Sequence, residues 1–266
     1  MRLGPPLLYV ATAGGFAMTT RAMLGHPIPL PYAAAYLGGY LALVAVGSMT
    51  PRLAMWGEIL TSVEDGRGVA LTFDDGPHPV HTRKVADLVE RFGARATFFQ
   101  IGEKVAAHPE VTRELVERGH EVGVHGHRVD RLLGFRGQSA VVDDLRRARD
   151  AIEEATGTRP LSFRPPYGVV NPTILRATAE LDLDVIGWNI RALDGVARTK
   201  PDDVVRRVSP KLRDGAIVCM HDAPEVGERT PAVIEALPAI FAEMDARGLR
   251  GVTVSKLVAS AGEASS

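Results

Sequence analysis

The sequence predicts an α/β fold: a closed or nearly closed barrel of about seven strand–helix units, preceded by an apolar helical segment. From about Val63 onward, short β-like runs alternate with longer helical patterns. Strands that alternate with helices of this length form a parallel sheet covered by helices. Their number favours a barrel over a short open sheet. Before Glu58 the composition differs, because that part has no acidic residue and only three basic ones.

Two apolar stretches lie in this first part. Leu7 to Met18 is short, whereas Tyr32 to Met49 has 18 residues without a charge. A membrane-spanning helix needs roughly 20 apolar residues, with a lower limit of about 17, so the second stretch is long enough. Three prolines, Pro27, Pro29 and Pro31, predict the connection between two helices, since proline cannot continue a helix.

Three interpretations of residues 1–60 stay open. The first is a membrane hairpin that associates the protein with the cell membrane through residues 1–55 and leaves the side of the barrel undetermined. The second is a signal peptide, which Arg2 and the first apolar run fit, although no small-residue cleavage site follows. The third is a soluble apolar extension. We take the hairpin as the prediction and residues 61–266 as the catalytic domain.

Seven short apolar runs predict the strands of the barrel, because each has the length and composition of a buried parallel strand. In chain order they are Gly68–Phe73, Ala96–Ile101, Glu121–Val124, Leu161–Phe163, Asp184–Trp188, Ala216–Met220 and Gly251–Val254. Longer patterns between them predict the helices. These are His78–Phe92 with its leading turn, Pro109–Arg118, Ser139–Thr156, Pro172–Leu181, Asp202–Arg213 and Pro231–Arg247.

Composition excludes several classes of protein. Lys and Arg number 31 against 32 Asp and Glu, and the mean hydropathy is +0.03. Without a basic excess to displace counterions, no nucleic-acid partner is expected. The single cysteine, Cys219, excludes a disulfide scaffold and a cysteine-based zinc knuckle. From Glu58 onward, 28 basic and 32 acidic residues give that part a charge of about −4.

Ionisable residues follow nearly every predicted strand. In α/β barrels the reacting groups gather at the carboxyl ends of the strands, where the βα loops converge. Chance would scatter such residues along the helices as well, so this pattern indicates an enzyme. The residues at these ends are Asp74, Asp75, His125, His127, Arg164, Asp194 and His221.

These residue types suit hydrolysis of an amide or an ester. Two adjacent buried aspartates cannot both be ionised unless a cation compensates them. A divalent metal bound by one aspartate and a histidine would do so, and the other aspartate could act as a base on water at the metal. Arg164 could hold that base ionised. His221 could then protonate a leaving group, with Asp194 setting its tautomer and raising its basicity.

Four segments carry a resemblance to a known family. They are TFDDGPHP at residues 72–79, FRPPYG at 163–168, IGWNIRALDG at 186–195 and GAIVCMHD at 215–222. Their order and spacing resemble the first, third, fourth and fifth motifs of the NodB-type polysaccharide deacetylases, carbohydrate esterase family 4. The resemblance covers roughly residues 67–258 and leaves out the first 60.

The resemblance implies a distorted (β/α)7-type barrel, the NodB homology domain, and a metal-dependent deacylase. The usual metal is zinc, and the usual substrates are N-acetylated sugars in glycans or glycolipids. The implied roles are Asp74 as general base, Asp75 and His125 as metal ligands, Arg164 positioning Asp74, the Tyr167 backbone N–H in the oxyanion site, and Asp194 tuning the acid His221.

The second motif departs from the family pattern. The family has two metal-binding histidines there, but Val129 stands where the second is expected. A site of Asp75 and His125 alone would be weak, because catalytic zinc normally has three protein ligands. His127 is the candidate substitute for the third ligand.

Two further departures concern the acyl pocket. Cys219 replaces a leucine two residues before the acid histidine, and Gly195 replaces a tryptophan after Asp194. The loss of that pocket wall would admit a larger acyl group or another substrate. Trp188, at the end of a predicted strand, is expected in the core or in the pocket wall.

Two hypotheses from different classes follow. The first is a metal-dependent hydrolase that removes an acyl group from an N-acylated amino sugar of a glycan, a glycolipid or a related small molecule. The second is a protein of this fold that has lost metal-dependent hydrolysis. It would act as a binding module, or as a metal-free catalyst that uses Asp74 and His221 on another metabolite.

Overall fold

Eight parallel strands form the sheet of the computed structural model, which describes residues 4–264 apart from 129, 131, 197, 225–226 and 228. The strands are β1 Val69–Gly76, β2 Thr97–Gln100, β3 Glu121–Val124, β4 Ser162–Phe163, β5 Asp184–Val185, β6 Ile190–Arg191, β7 Ala216–His221 and β8 Gly251–Val252.

The sheet curls in the order β5-β4-β3-β2-β1-β7-β6, and β8 pairs with the start of β1. Every pair of strands in it is parallel, so all carboxyl ends meet at one face. β1 lies at the centre, where Asp74 is in register with Phe99 of β2 and His221 of β7. This confirms the predicted barrel-type α/β fold, and it places the chemistry-bearing strand ends together.

Residues 60–63 bridge the opening between the two ends of the curled sheet. The Leu60 N–H donates to the Val185 carbonyl at 2.9 Å, and its own carbonyl accepts from the Gly187 N–H at 2.8 Å. The Val63 N–H donates to the Gly215 carbonyl at 2.9 Å, just before β7. A segment without a strand of its own therefore closes the barrel.

Ten helices lie within the described residues, and those after β1 cover the sheet through amphipathic faces. The apolar side chains of most of them fill one large core, and Val254 and Leu257 of α10 belong to a second, smaller cluster with Ala70, Phe99 and Ile217. The helices are α1 Gly4–Met23, α2 Leu30–Met49, α3 His81–Arg91, α4 Gly102–Ala107, α5 Pro109–Glu117, α6 Gln138–Thr156, α7 Pro172–Glu180, α8 Pro201–Val208, α9 Val233–Ala246 and α10 Val254–Ala264.

The predicted strand 184–188 is shorter in the structure, and a separate strand, β6, follows it. The cause is Arg164, whose side chain donates to the carbonyls of Ile186 at 3.3 Å and Gly187 at 2.9 Å. Those carbonyls are therefore not available to a neighbouring strand. The chain leaves the ladder at Trp188 and rejoins it as β6 beside β7.

Some helix boundaries also differ from prediction. The helix predicted over 202–213 ends at Val208, because Pro210 cannot continue it and a short 3₁₀ turn follows. The sequence analysis assigned no helix to α4 or α10. α4 has six residues, too few for a periodic pattern to be recognised.

The first two helices form an antiparallel hairpin. Tyr36 of α2 packs against Gly14 and Gly15 of α1, and its hydroxyl donates to the Ala11 carbonyl. Among the described helices, α2 is the one that is long and apolar enough to cross a membrane by length and composition. The helical character predicted for the segment is confirmed, and its relation to a membrane stays a prediction.

The core around β2 gives a test of the packing. Phe98 is fully buried and stacks on Phe73 with ring centroids 5.2 Å apart. We expect Phe98→Ala to lower the free energy of unfolding by about 3–5 kcal/mol, since it removes buried apolar area and leaves a cavity. Denaturant unfolding of the full chain in detergent, followed by tryptophan fluorescence, measures this. Phe135→Ala is the control, because Phe135 is exposed and its loss is expected to cost under about 0.5 kcal/mol.

Candidate active site

A cavity of about 240 Å³ opens at the carboxyl ends of the strands. Nine of the ten residues that the sequence analysis singled out as site residues meet there. Arg164 and Asp194 are buried behind the wall, in contact with side chains that reach the cavity. The predicted residues that line the cavity are Asp74, Asp75, His125, Tyr167, Trp188, Cys219 and His221.

Asp74 is held by a buried ion pair. Its Oδ1 accepts a hydrogen bond from Arg164 Nη1 at 2.9 Å, and neither side chain is exposed beyond a few per cent. Burial acts to raise the pKa of Asp74, but the charge of Arg164, aided by His125 and His221, outweighs burial and holds that pKa below its usual value. Asp74 is therefore a carboxylate at neutral pH, and Oδ2 is the oxygen that Arg164 leaves to the cavity side.

Arg164 is positioned by groups from three strands. Besides Asp74, it donates to the Thr72 hydroxyl on β1 and to the two carbonyls that follow β5. Its guanidinium also lies 4.2 Å from the centroid of the Phe99 ring on β2. A charge this deeply buried is tolerated only when its donors are satisfied, and these contacts satisfy them.

Asp75 and His125 face each other across the cavity floor. His125 Nδ1 lies 2.8 Å from the Arg164 carbonyl, so Nδ1 carries a hydrogen and Nε2 is the ring nitrogen that is left to face Asp75. That Nε2 lies 3.5 Å from Asp75 Oδ1. Burial raises the pKa of the Asp75 carboxyl. A ring nitrogen and a carboxylate oxygen that converge in this way are atoms that could both bind one cation.

His221 has a carboxylate rather than a carbonyl next to Nδ1. Its Nδ1 lies 2.8 Å from Asp194 Oδ1, and its backbone N–H donates to Asp194 Oδ2 at 2.9 Å. Burial acts to lower the pKa of His221, but the charge and hydrogen bond of Asp194 outweigh it and raise that pKa to about 9. His221 is therefore an imidazolium at neutral pH, with a proton on Nε2 to donate.

Cys219 lies between these groups on β7. Its Sγ donates to Asp74 Oδ2 at 3.4 Å. Burial, together with the charge of Asp74, raises the pKa of the Cys219 thiol well above its usual value. The thiol is therefore a neutral donor at the cavity floor, and it is not a nucleophile.

Tyr167 and Trp188 form one wall. Tyr167 has a left-handed backbone with φ of 58°, which turns the loop after β4 over the cavity. At the next residue, Gly168, a Cβ would lie 2.6 Å from the Trp188 ring, so this close approach requires glycine. Arg191 covers the other side of that ring, with its guanidinium 5.5 Å from the ring centroid.

The structure does not bring His127, the predicted substitute ligand, to the other metal-ligand candidates. Its ring lies against α4 and α6, with Nδ1 next to Gly102 and Ala148. The N–H of His127 donates to Asp144 Oδ2 at 2.8 Å, which fixes the loop in this orientation. His127, two residues after His125, does not line the cavity, because Asp144 and the N terminus of α4 hold its backbone.

Asp75 and His125 fit two ligands of a divalent cation. One is an imidazole nitrogen with its tautomer set by a carbonyl, and the other is a carboxylate, a donor set that zinc and similar cations accept. Val129, which stands where a further histidine was expected, lies outside the described residues.

A second group of ligand-type atoms lies next to this pair. One ligand atom each of Asp74, Cys219 and His221 lies within 4.8 Å of the others. We favour the first pair for a cation on physical grounds. Asp74 is already neutralised by Arg164, the thiol is protonated, and an imidazolium repels a cation.

Two residues without an assigned role support the site. Lys104 of α4 donates from Nζ to the Asp75 carbonyl at 2.8 Å and the Pro224 carbonyl at 3.0 Å, which ties the turn after β1 to the loop after β7. Asp222, buried behind Gly76, accepts from the Thr82 hydroxyl, and burial raises its pKa to about 7. Lys104 belongs to a helix that was not predicted, so its sequence position gave no signal.

The arrangement supports acid–base chemistry on one small group. A buried carboxylate and an imidazolium, the two groups needed for proton abstraction and proton donation, line the same cavity. The metal-ligand candidates lie beside them on the floor. The volume of about 240 Å³ suits a single substituent of a larger molecule that stays outside.

The chain is similar in sequence and fold to known proteins. The family described as "Polysaccharide deacetylase" matches residues 62–186. A peptidoglycan-N-acetylglucosamine deacetylase of Bacillus cereus is 31% identical over 197 residues, which cover 71% of this chain and 87% of that protein. The peptidoglycan-N-acetylmuramic acid deacetylase PdaC of Bacillus subtilis is 33% identical over 191 residues. The matched part covers 71% of this chain, and the chain spans only 38% of the length of PdaC.

Solved structures show the same fold. The structure of PdaC from Bacillus subtilis superimposes with a TM-score of 0.67 at 30% identity, over 76% of this chain and 96% of that one. A family 4 carbohydrate esterase from Streptomyces lividans, solved with acetate, gives a TM-score of 0.63 at 31% identity, over 70% of this chain and 91% of that one.

The Asp194–His221 pair predicts a measurable pKa. In an NMR titration of the histidine ring signals of the full chain in detergent, we expect His221 to titrate near pH 9. Because this folded-state pKa lies above the usual 6.5, the pair stabilises the fold fully below pH 6.5, and this contribution disappears as the pH rises through 9. Asp194→Asn should bring the pKa of His221 down by at least one unit. A pKa near 6 in the unsubstituted protein would contradict the assignment.

Proposed function

Because the chain belongs to the polysaccharide deacetylase family, we propose that it hydrolyses the amide of an N-acylated amino sugar in a glycan or glycolipid and removes the acyl group, with a divalent metal as cofactor. The observation that carries the proposal is the pairing of opposite protonation states in one cavity. Asp74 is a carboxylate held by Arg164, and His221 is an imidazolium held by Asp194. The relatives named above are described as deacetylases of peptidoglycan sugars.

Asp75 and His125 would hold the metal, for which zinc is the first candidate. When bound there, it would supply Lewis-acid activation of the attacking water and of the acyl carbonyl. The contact of His125 Nδ1 with the Arg164 carbonyl supports this role, because it leaves Nε2 to face Asp75.

The protein side chains account for both proton transfers. Asp74 takes a proton from water as the oxygen attacks the acyl carbon, and Arg164 keeps Asp74 ionised until then. The tetrahedral carbon then loses the amine as the C–N bond breaks, and His221 donates a proton to the nitrogen. The products are a free amino sugar and a carboxylic acid. The Tyr167 backbone N–H is the proposed donor to the developing oxyanion.

The size of the cavity, about 240 Å³, supports a small acyl group beside Trp188. The Cys219 thiol at the floor and the absence of a side chain at Gly195 change the space around His221. A Cβ at residue 195 would lie 3.2 Å from the His221 ring, so this site sets how closely the wall approaches the acid. We expect acetyl to fit, with room for a slightly longer chain.

Membrane association through residues 1–55 is part of the proposal. The apolar α2 supports it, and the exposed side chains of both hairpin helices agree with it. A chain in which this segment acts as a signal sequence is the alternative.

The competing hypothesis is a protein of this fold without metal-dependent hydrolysis. One observation favours it: within the described residues, the expected metal site has two ligands, Asp75 and His125, and His127 is oriented away from them. Such a protein would bind a ligand in the same cavity or use Asp74 and His221 without a metal. Metal analysis separates the two hypotheses.

We expect purified full-length protein to bind about one divalent metal ion per chain at neutral pH. Elemental analysis after dialysis against zinc measures this. Asp75→Asn and His125→Ala should each lower the affinity for zinc at least about tenfold, because each substitution removes one of the two proposed protein ligands. His127→Ala is the matched control and should keep the metal. No stoichiometric metal in the unsubstituted protein would reject metal-dependent hydrolysis and favour the competing hypothesis.

Loss of the base should abolish turnover without loss of metal. We expect Asp74→Asn to slow acetate release from N-acetylglucosamine oligomers by roughly 10²–10⁴-fold, the usual contribution of a general base. An enzymatic assay for acetate measures the rate, and elemental analysis confirms that the variant keeps its metal. Equal rates for the variant and the unsubstituted protein would exclude Asp74 as the base.

A further inference from the structure

We propose that the cavity acts on an amino sugar that is carried on a membrane lipid, and that the face of the barrel around the cavity lies against the membrane surface. The inference rests on the proposed deacylation and adds the class of substrate. It is argued from the place where the N-terminal hairpin joins the barrel and from the side chains exposed on that face.

The base of the hairpin packs on the loop that follows β4. Gly4 and Gly47, the buried residues of α1 and α2, both lie against Met55. The Ser48 carbonyl, near the end of α2, accepts a hydrogen bond from the Val170 N–H at 2.8 Å. The hairpin therefore leaves the barrel beside the loop after β4, which supplies a wall of the cavity.

Pro51 connects the hairpin base to that wall directly. A Cβ on Gly168 would lie 3.3 Å from the Pro51 ring and 2.6 Å from the Trp188 ring. Trp188 lines the cavity. Gly168 therefore lies between Pro51 at the hairpin base and Trp188 in the wall of the cavity.

Beyond its base, the hairpin is exposed. Tyr9, Val10 and Phe16 of α1 and Leu37 and Leu41 of α2 are among its exposed apolar side chains. A helix of 20 residues is about 30 Å long, which is the thickness of the hydrocarbon core of a bilayer. A bilayer would cover the exposed apolar side chains of a hairpin of this length. Because the base of the hairpin packs on the barrel beside the cavity, the membrane surface would lie next to the cavity.

The loop after β3 exposes apolar side chains at the same place. Leu132 is 63% exposed and Phe135 is 75% exposed. This loop is tied to the hairpin base, because the Asn171 side chain donates to the Gly134 carbonyl at 2.6 Å and Asn171 directly follows Val170. Exposed apolar side chains beside the apolar hairpin are suited to the interface between lipid headgroups and acyl chains.

Apolar side chains also lie at the rim of the cavity, together with the exposed Arg191. Tyr167, Leu193 and Val196 line the cavity and are exposed. A single exposed apolar side chain carries no information, but several around one opening beside a membrane anchor indicate a contact surface. Leu161, which is 65% exposed, directly precedes β4 at the amino ends of the strands, away from the cavity, and so provides a matched control.

This geometry favours a substrate that diffuses within the membrane. The anchored cavity meets a lipid-carried sugar at a high local concentration, whereas a soluble oligomer has to reach a mouth that faces the bilayer. The acyl group enters the small cavity while the lipid stays in the membrane beside the hairpin.

Fluorescence tests the contact without the use of activity. Single substitutions Leu132→Cys, Leu161→Cys and Leu41→Cys are labelled with one fluorophore in the full chain in phospholipid vesicles, and quenching by nitroxide-labelled lipid is measured. The buried Cys219 is controlled by labelling the unsubstituted chain. We expect strong quenching at residues 132 and 41 and little at residue 161. Quenching at residue 41 but not at 132 would overturn the contact while leaving the anchor intact.

Activity tests the substrate class. Acetate release is compared for hexadecyl N-acetylglucosaminide embedded in the vesicles and for a soluble N-acetylglucosamine oligomer. We expect kcat/KM to favour the embedded substrate by about tenfold or more. Leu132→Ser combined with Phe135→Ser should lower this preference about fivefold, because it removes apolar contact area. Leu161→Ser should leave the preference unchanged.

The outcomes separate the two proposals. Equal or better turnover of the soluble oligomer overturns the lipid-carried substrate and leaves deacylation standing. A preference that falls equally in the Leu161→Ser control also overturns the contact surface. Absence of turnover on both substrates, with metal bound, rejects the proposed function itself.

Discussion

The ion pair between Arg164 and Asp74 is the interaction on which the rest of the site depends. A fully buried guanidinium is costly unless its donors find partners, and here those partners come from several strands. The same contacts that satisfy Arg164 keep Asp74 ionised and end β5 early. Its backbone carbonyl also sets the tautomer of His125. Arg164 thus determines where β5 ends, keeps Asp74 ionised and orients the ring of His125.

The two histidines of the cavity differ in the group next to Nδ1, and this difference gives them different chemistry. His125 has a carbonyl at Nδ1, and His221 has a carboxylate at the same atom. A carbonyl at Nδ1 holds one ring hydrogen and leaves Nε2 to face a neighbouring ligand, whereas the buried carboxylate at Nδ1 of His221 stabilises the imidazolium, so Nε2 carries a proton to donate. The same side chain therefore serves as a candidate ligand on one side of the cavity and as a candidate acid on the other.

Much of the fold and site could be predicted because parallel strands bring their carboxyl ends to one face. Polar residues such as Asp74, His125 and His221 directly follow apolar runs, so their convergence follows from topology. The orientation of His127 could not be predicted, because it depends on Asp144 of a distant helix. β6 and the role of Lys104 were missed for a similar reason: both depend on contacts between parts of the chain far apart in sequence.

The closing segment at residues 60–63 bears on how the protein can be handled as a soluble fragment. The similarity to the deacetylase family begins at residue 62, which makes it a natural place to shorten the chain. A fragment that starts there lacks Leu60, and with it the hydrogen bonds to Val185 and Gly187 that cover the outer side of β5. Open sheet edges recruit strands from other molecules, so such a fragment would be prone to aggregate. The connection between the hairpin and the barrel is therefore a structural part of the barrel.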